Sequence, residues 1–389
     1  MPNNSNFISE LIELEDVIIT GVEVTKTARH IYMEMPRRVH HCPACGNETD
    51  RIHDYREQVI KDIPYMKDSY LHLRKRRYVC RECSKRFYED VPFLPRYYRM
   101  TNRMVGSILH DFSKVKSASQ IAREHNVSVT TAIRYFDYVS YKNRSLPEVL
   151  SIDEFKGNAG GEKYQFIVTD AKNKKILDIL PNRKEYDLIR YFKAFSTRNS
   201  VKYFVTDMNP HFKEVAKTCF PKAVIIADRY HVSRQVMWAM ERVRKVEQKH
   251  LSQTHRRYFK RSRYLLCKNE LDEEECQRLA LMFELAPRLA TAYYLKNKFL
   301  EVMHCKNSYE AKKKLADWML LAEFENMPEF EDCITAYRNW SQEILNAIDY
   351  PWSNGFTEGC NNKTKVLKRT CYGVRNFGRF RNRILHCAA

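Results

Sequence analysis

The sequence predicts a multidomain α+β chain: an N-terminal zinc-binding β module, a helix-turn-helix, and an α/β core interrupted by an all-helical insertion. Three observations predict it. Cys42-Pro-Ala-Cys45 and Cys80-Arg-Glu-Cys83 have the spacing at which a turn offers two thiolates to one tetrahedral zinc. Short β-prone runs between 149 and 227 alternate with helical stretches, and from about 230 to 346 the periodicity is helical throughout.

Bulk composition narrows the partners. A chain of 389 residues with 44% hydrophobic residues exceeds one core, so two or three domains are expected. Its 67 Lys and Arg against 48 Asp and Glu leave a net charge of +19, which points to a polyanion. The excess is concentrated. Between 71 and 86 only Glu82 offsets seven basic residues, and from Lys363 to Arg383 eight basic residues meet no acid. The opening Met-Pro-Asn-Asn-Ser lacks a basic start followed by an apolar core, and no run approaches the ~20 apolar residues a membrane span needs. The expectation is a cytoplasmic protein whose 12 cysteines are reduced thiols.

Taken in order, residues 1–95 form the first module. Apolar alternation over 7–35 reads as one or two strands, and Val59-Ile60 with Tyr70–Leu73 as a hairpin between the cysteine pairs. Zinc on Cys42, Cys45, Cys80 and Cys83 would replace the core so small a module cannot build. His40, His41 and His53 are expected to face solvent. The basic strand beside the second pair, with Arg74, Arg76, Arg77 and Lys85, is expected against DNA phosphates.

Residues 96–146 carry the helix-turn-helix. Ala122 is the small residue where two helices cross, Asn126 can take a left-handed turn, and Ser128 can cap the recognition helix. Thr130 and Arg134 are then the base-edge or phosphate contacts. The plain alternative is a helical hairpin in a small bundle.

The core is expected over 147–232, with strands at Val149–Phe155, Tyr164–Thr169, Lys175–Leu180, Val201–Thr206 and Ala223–Ala227. Helices are expected at Glu185–Phe195 and Phe212–Thr218. Three strands, a helix, a strand, a helix and a strand make the order of a ribonuclease H-like core, with antiparallel and parallel pairs mixed. A helical insertion follows over 233–348, with Trp238, Trp318 and Trp340 expected in its core, and the fold resumes over 349–389.

Asp153, Asp207 and Glu358 each end a strand or open a helix, so the three carboxylates can converge on divalent metal. Lys365, Lys368 and Arg369 follow on the Glu358 helix as DNA contacts. Asn354 and Asn361 are candidates for orienting DNA or a metal-bound water. Asp228 is expected mainly to cap a helix, with His231 beside the site, and Glu154 to face away from it.

These blocks together, Ser-Ile-Asp153-Glu-Phe-Lys-Gly, Thr-Asp207-Met-Asn-Pro, Ala-Asp228-Arg-Tyr-His231-Val and Ser-Asn-Gly-Phe-Thr-Glu358-Gly-Cys-Asn-Asn-Lys-Thr-Lys, with the cysteine pairs and the helix-turn-helix, resemble the ISL-three family of bacterial insertion-sequence transposases. The resemblance implies a DDE-type enzyme with a ribonuclease H-like core. Asp153, Asp207 and Glu358 would hold catalytic Mg2+ or Mn2+, and the module structural Zn2+. It also implies double-stranded DNA partners, the transposon terminal inverted repeats and the target, a nucleoid-associated location, and at least a homodimer on paired ends. Two other functions remain open at this stage: a catalytically idle DNA-binding regulator, and a nuclease without strand transfer.

Overall fold

The structure is a computed structural model that describes residue 14, residues 16–268 and residues 270–388. The chain falls into two compact units, Met1–Ser140 with Leu367–Gly373, and Tyr141–Val366 with Val374–Ala388.

In the first unit, β1 (Ile18–Val24), β2 (Ala28–Glu34), β5 (Ile52–Tyr65) and β6 (Lys67–Val79) form a sheet in the order β1-β2-β6-β5, with β7 (Arg86–Tyr88) also on β6. The expected strands of the N-terminus are therefore β1 and β2, while residues 7–13 lie outside the described residues. The expected hairpin is β5 with β6, antiparallel along its length. Ile31, Met33, Ile60, Leu71 and Leu73 close its core. Two-residue strands β3 (His40–His41) and β4 (Glu48–Thr49) flank the first cysteine pair.

Arg76 departs from its expected role. It is 5% exposed, donates to the Met35 carbonyl, and pairs with Glu34 at 3.0 Å and Glu89 at 3.5 Å, so its charge is spent inside the module. The reason is a change of covered face along β6. Ser69, Leu71 and Leu73 are buried on one side of the strand, whereas Arg76 and Tyr78 are buried on the other, where His40 lies over Tyr78 at 4.4 Å.

Helices α1 (Asn102–Phe112), α2 (Ala118–Glu124) and α3 (Val129–Phe136) complete this unit. Ser117 caps α2 and Ser128 caps α3, and Asn126 between them has φ 47°, the left-handed conformation a tight turn demands. Ala122 is buried where α2 meets its neighbours, and Thr130 and Arg134 are exposed on α3.

The second unit is built on a five-stranded sheet in the order β10-β9-β8-β11-β12. Its strands are β8 (Val149–Phe155), β9 (Gln165–Asp170), β10 (Lys175–Leu180), β11 (Tyr203–Thr206) and β12 (Val224–Ala227). β9 runs antiparallel to β8 and β10, while β11 runs parallel to both β8 and β12. The crossovers are α4 (Glu185–Lys193) and α5 (Pro210–Cys219), which bury Leu188, Phe192, Phe212 and Val215 against the sheet.

Seven helices follow β12 among the described residues, starting with α6 (Arg229–His250) and ending with α12 (Ser341–Asp349). They share a core in which Phe299 stacks on Tyr337 at 4.3 Å and Trp318 donates to the Leu295 carbonyl at 2.8 Å. Trp318 and Trp340 are buried there as expected, but Trp238 is 49% exposed. Val232, Val236, Ala239, Met240 and Val243 make the inner stripe of α6, and a residue two positions past Val236 points to the opposite face. The chain then returns to the sheet through α13 (Gly355–Thr370). It ends in α14 (Phe377–His386), where Arg381 pairs with Asp178 at 2.6 Å beside β10. No helix among the described residues is long and apolar enough to cross a membrane.

Candidate active site

Strand register brings the acids together. Val205 pairs with Ser151 across β11 and β8, and Thr206 with Ala227 across β11 and β12. Continuing those registers sets Asp153, inside β8 two residues before its end, level with Asp207 and Asp228, which directly follow β11 and β12. Asp228 donates its backbone N–H to the Thr206 carbonyl at 2.9 Å and caps α6.

Glu358 approaches from α13. Ligand atoms of Asp228, His231 and Glu358 all lie within 4.8 Å of one another. Asp153 is tied to the same helix by Asn361, whose Nδ2 donates to its Oδ2 at 2.7 Å. His231 Nδ1 lies 2.8 Å from Asp228 and 3.2 Å from Asp207. Asp228 therefore does more than its expected capping: it caps α6 and also lines the cluster. Glu154, as its strand position requires, turns aside and accepts from Arg183 at 2.6 Å.

A buried polar network fastens α13 to the sheet. Asn354, fully buried, donates its backbone N–H to Asp228 at 2.9 Å and its Nδ2 to the Ile152 carbonyl at 3.1 Å and to Asp207 at 3.3 Å. Its Oδ1 accepts from Ser151 at 2.7 Å, and Ser151 and Thr169 each meet the Thr357 hydroxyl, at 2.6 and 2.7 Å. Ser151, Thr169, Asn354, Thr357 and Asp228 are buried and Asp207 half-buried, so their mutual bonds hold the helix in one position. Sequence reasoning missed Ser151, Thr169 and Thr357. The legible signal was Ser151 and Thr169 within largely apolar strands, whereas Thr357 stands in a helix rich in polar residues.

Electrostatics make the cluster a poor home for bare negative charge. Burial pushes Asp153 up to about 7, and the charges of Asp207 and Glu358 act in the same direction. Burial likewise pushes Asp207 up to about 6, against the pull of His231 and Arg234. Burial also raises Asp228, but hydrogen bonds from His231 and from the Asn354 N–H outweigh it and hold this carboxyl below its ordinary value. His231 is desolvated, which lowers it, yet the hydrogen bond to Asp228 and the charge of Asp207 leave it raised.

The residues fit hard divalent cations. The donors are mostly carboxylate oxygens, and the Asn361 Oδ1, in a residue 4% exposed, is a buried acceptor with no protein donor. A consequence follows for stability. Between the ordinary Asp value near 4 and the folded values, the native state holds more protons than the unfolded chain, so stability falls as pH rises through about 4 to 7. Metal-free protein is expected to lose a few kcal/mol between pH 5 and 8, and millimolar magnesium to restore it at pH 8 far more than at pH 5. Melting curves at both pH values with and without magnesium measure this; equal magnesium shifts at the two would refute it.

The second metal candidate is the cysteine cluster of the first unit. Cys42 Sγ lies 3.5 Å from Cys83 Sγ, and Cys45 Sγ 3.5 Å from Cys80 Sγ. A tetrahedron with Zn–S bonds of ~2.3 Å has edges of roughly 3.8 Å, so the four thiols are arranged as zinc requires. Both knuckles have one construction. The Gly46 N–H donates to the Cys42 carbonyl at 2.9 Å and the Ser84 N–H to the Cys80 carbonyl at 3.1 Å, and both residues are left-handed, with φ 77° and 58°. In the second knuckle, the Cys83 and Glu82 N–H groups lower the Cys80 thiol, favouring thiolate.

Of the residues expected on DNA, Lys85, Thr130, Arg134, Lys365 and Arg369 are exposed and Lys368 is half-buried. Arg74 lies over the Tyr55 ring at 4.0 Å, and Arg77 pairs with Asp54 at 2.9 Å.

Comparison with known proteins agrees with this layout. A transposase family model of ISL3 type matches residues 150–384, which is more than half of the chain. A zinc-finger model of the transposases IS204, IS1001, IS1096 and IS1165 matches 38–83, and the helix-turn-helix domain of transposase family ISL3 matches 89–140. Among relatives, the transposase for insertion sequence element IS1001 of Bordetella parapertussis is 26% identical over 358 residues, covering 89% of this chain and 88% of the relative. The transposase for insertion sequence element IS1557 of Mycobacterium tuberculosis is 25% identical over 245 residues, 55% of this chain and 54% of the relative. With a matched core, zinc finger and helix-turn-helix in one chain, the protein belongs to the ISL3 family of bacterial insertion-sequence transposases.

Proposed function

We propose that this transposase binds the terminal inverted repeats of its element, through the helix-turn-helix and the basic zinc module, and cuts and joins their strands by two-metal phosphoryl transfer. The observation that carries the reading is that Asp207 and Asp228, each just past a strand, meet one buried polar keystone, Asn354, while Glu358 reaches Asp228 and His231 from the helix. The sheet order, with three antiparallel-linked strands followed by two parallel ones, supports a ribonuclease H-like core, and the helices between β12 and α13 are read as its insertion.

Asp153, Asp207 and Glu358 would hold magnesium or manganese, with Asp228 and His231 close enough to complete the shell. Divalent ions bound there supply activation of a water or a 3′-hydroxyl and stabilise the leaving oxygen during in-line attack. Asn361 and Asn354 hold Asp153 and Asp207 in place, His231 shares its Nδ1 between Asp207 and Asp228, and Lys365 is suited to neutralise a phosphate beside them. No covalent protein nucleophile is needed. Zinc on Cys42, Cys45, Cys80 and Cys83 is architectural. The paired-end chemistry calls for at least a dimer.

The test is product analysis. Purified protein, labelled duplex bearing the element's terminus, a target plasmid and magnesium should yield nicked ends and covalently joined products. Nicks without joined products would favour a nuclease, and end binding without either would favour a regulator.

A further inference from the structure

We propose that Tyr230, Arg234 and Trp238 form a stacking site for unpaired nucleobases of the DNA strand at the carboxylate cluster. The proposal rests on the transposase reading and adds to it a ligand, an unstacked stretch of DNA, and a surface that receives it.

The three residues fall at i, i+4 and i+8 of α6, opposite the stripe that packs into the helical core. Tyr230 is 58% and Trp238 49% exposed. The Arg234 guanidinium lies between the two rings, 5.3 Å from the Tyr230 centroid and 4.6 Å from that of Trp238. The cation thereby orders two aromatic side chains that solvent would otherwise leave free. Eight residues of helix span ~12 Å, room for a short run of stacked bases.

Position gives the ladder its meaning. Tyr230 stands between Asp228, which caps this helix, and His231, whose ring it meets edge-on at 5.5 Å. Arg234 is close enough to Asp207 for its charge to act on that carboxylate. A strand whose phosphate lies at the carboxylates thus has a cationic, aromatic surface beside it. Every base has a π-face, so such a surface accepts unpaired bases of any sequence and gains nothing from a duplex whose bases stack on each other.

The test uses the full chain with calcium in place of magnesium, so that binding is read without cutting. One labelled probe is the paired terminus, a second carries three unpaired thymidines at the cleavage position, and a third has abasic sugars in place of those thymidines. The intact chain should prefer the thymidine probe over the abasic one by about ten-fold. Trp238→Ala should remove that preference while binding the paired terminus as before, and Trp238→Phe should restore most of it. Tyr230→Ala should weaken it. Equal binding of thymidine and abasic probes by the intact chain, or an unchanged preference in Trp238→Ala, would overturn the proposal. The two readings fail separately: wild-type joining without base preference defeats the stacking site alone, whereas base preference without nicking or joining defeats the transposase mechanism alone.

Discussion

Asp207→Asn should abolish cleavage and joining of transposon ends by at least about a thousand-fold, equivalent to ~4 kcal/mol of barrier, while the same protein binds those ends with unchanged affinity. The substitution is nearly isosteric and keeps an oxygen for the Asn354 Nδ2 and the His231 Nδ1, so the network under α13 survives. It removes only the charge. Because burial already pushes Asp207 up to about 6, removing that charge should raise, not lower, the melting temperature of metal-free protein. Loss of activity with gain of stability is the pattern of a residue kept for a cation. Joining within ten-fold of wild type, or loss of end binding, would count against the assignment.

Asp228 offers a sharper form of the same experiment. Asn is as good a helix cap as Asp, so Asp228→Asn can keep the cap of α6 with its one oxygen, gives up the acceptor of the Asn354 N–H, and removes one carboxylate from the cluster with His231 and Glu358. If Asp228 only caps, joining persists in this variant. If it also holds metal, the magnesium concentration needed for half-maximal joining rises by about ten-fold or more.

How much of this was legible in the sequence follows the range of the interactions. The helix-turn-helix is written locally: Ser117 and Ser128 cap the helices they precede, and Asn126 takes the left-handed turn, each decided within four residues. Val149–Phe155 and Lys175–Leu180 appear with the bounds their apolar runs predict, the first buried along nearly all its length and the second at the sheet edge with only its last three residues buried. Val201 was expected in a strand, but β11 begins only at Tyr203, after a 3₁₀ turn over Ser196–Ser200 that apolar content does not reveal.

What failed to show depended on distant partners. Arg76 sits in a basic run, and only the cover that the 34–41 segment and Glu89 place on that face of β6 makes it internal. Asn354 reads as one polar residue before a helix. Its importance comes from Ser151 and Ile152 on β8, and from Asp207 and Asp228, all more than a hundred residues away along the chain. Trp238 is different, because the helical repeat of Val232, Val236, Ala239 and Val243 already placed it on the outer face. The general tendency of Trp to be buried outweighed a periodicity that was in plain view.

Cys80→Ser should release zinc, unfold the β module and reduce affinity for transposon ends by about a hundred-fold or more. Zinc in small thiolate sites contributes apparent binding free energies on the order of 10 kcal/mol, more than a module this size can recover from its apolar core. Cys42 and Cys80 are each 2% exposed and close turns that fasten β3 to β4 and β6 to β7. Without the metal, nothing joins the sulfur atoms that lie within 4.8 Å of one another, and as thiolates they would repel. The loss should spread further within the unit. β5 carries Asp62, which accepts from Thr101 at 2.7 Å and from Arg103 at 2.8 Å at the start of α1, so a disordered sheet also withdraws support from the helix-turn-helix. The helical core around Phe299, Trp318 and Tyr337 belongs to the other unit and has its own apolar interior. Melting of the variant should therefore retain one cooperative transition with high helical content and the sheet signal of β8–β12, while the contribution of β1–β7 is absent, and metal analysis should find zinc in wild type only. Unchanged zinc content, or wild-type affinity for the ends in a zinc-free variant, would show that the four cysteines do not build the DNA-binding module.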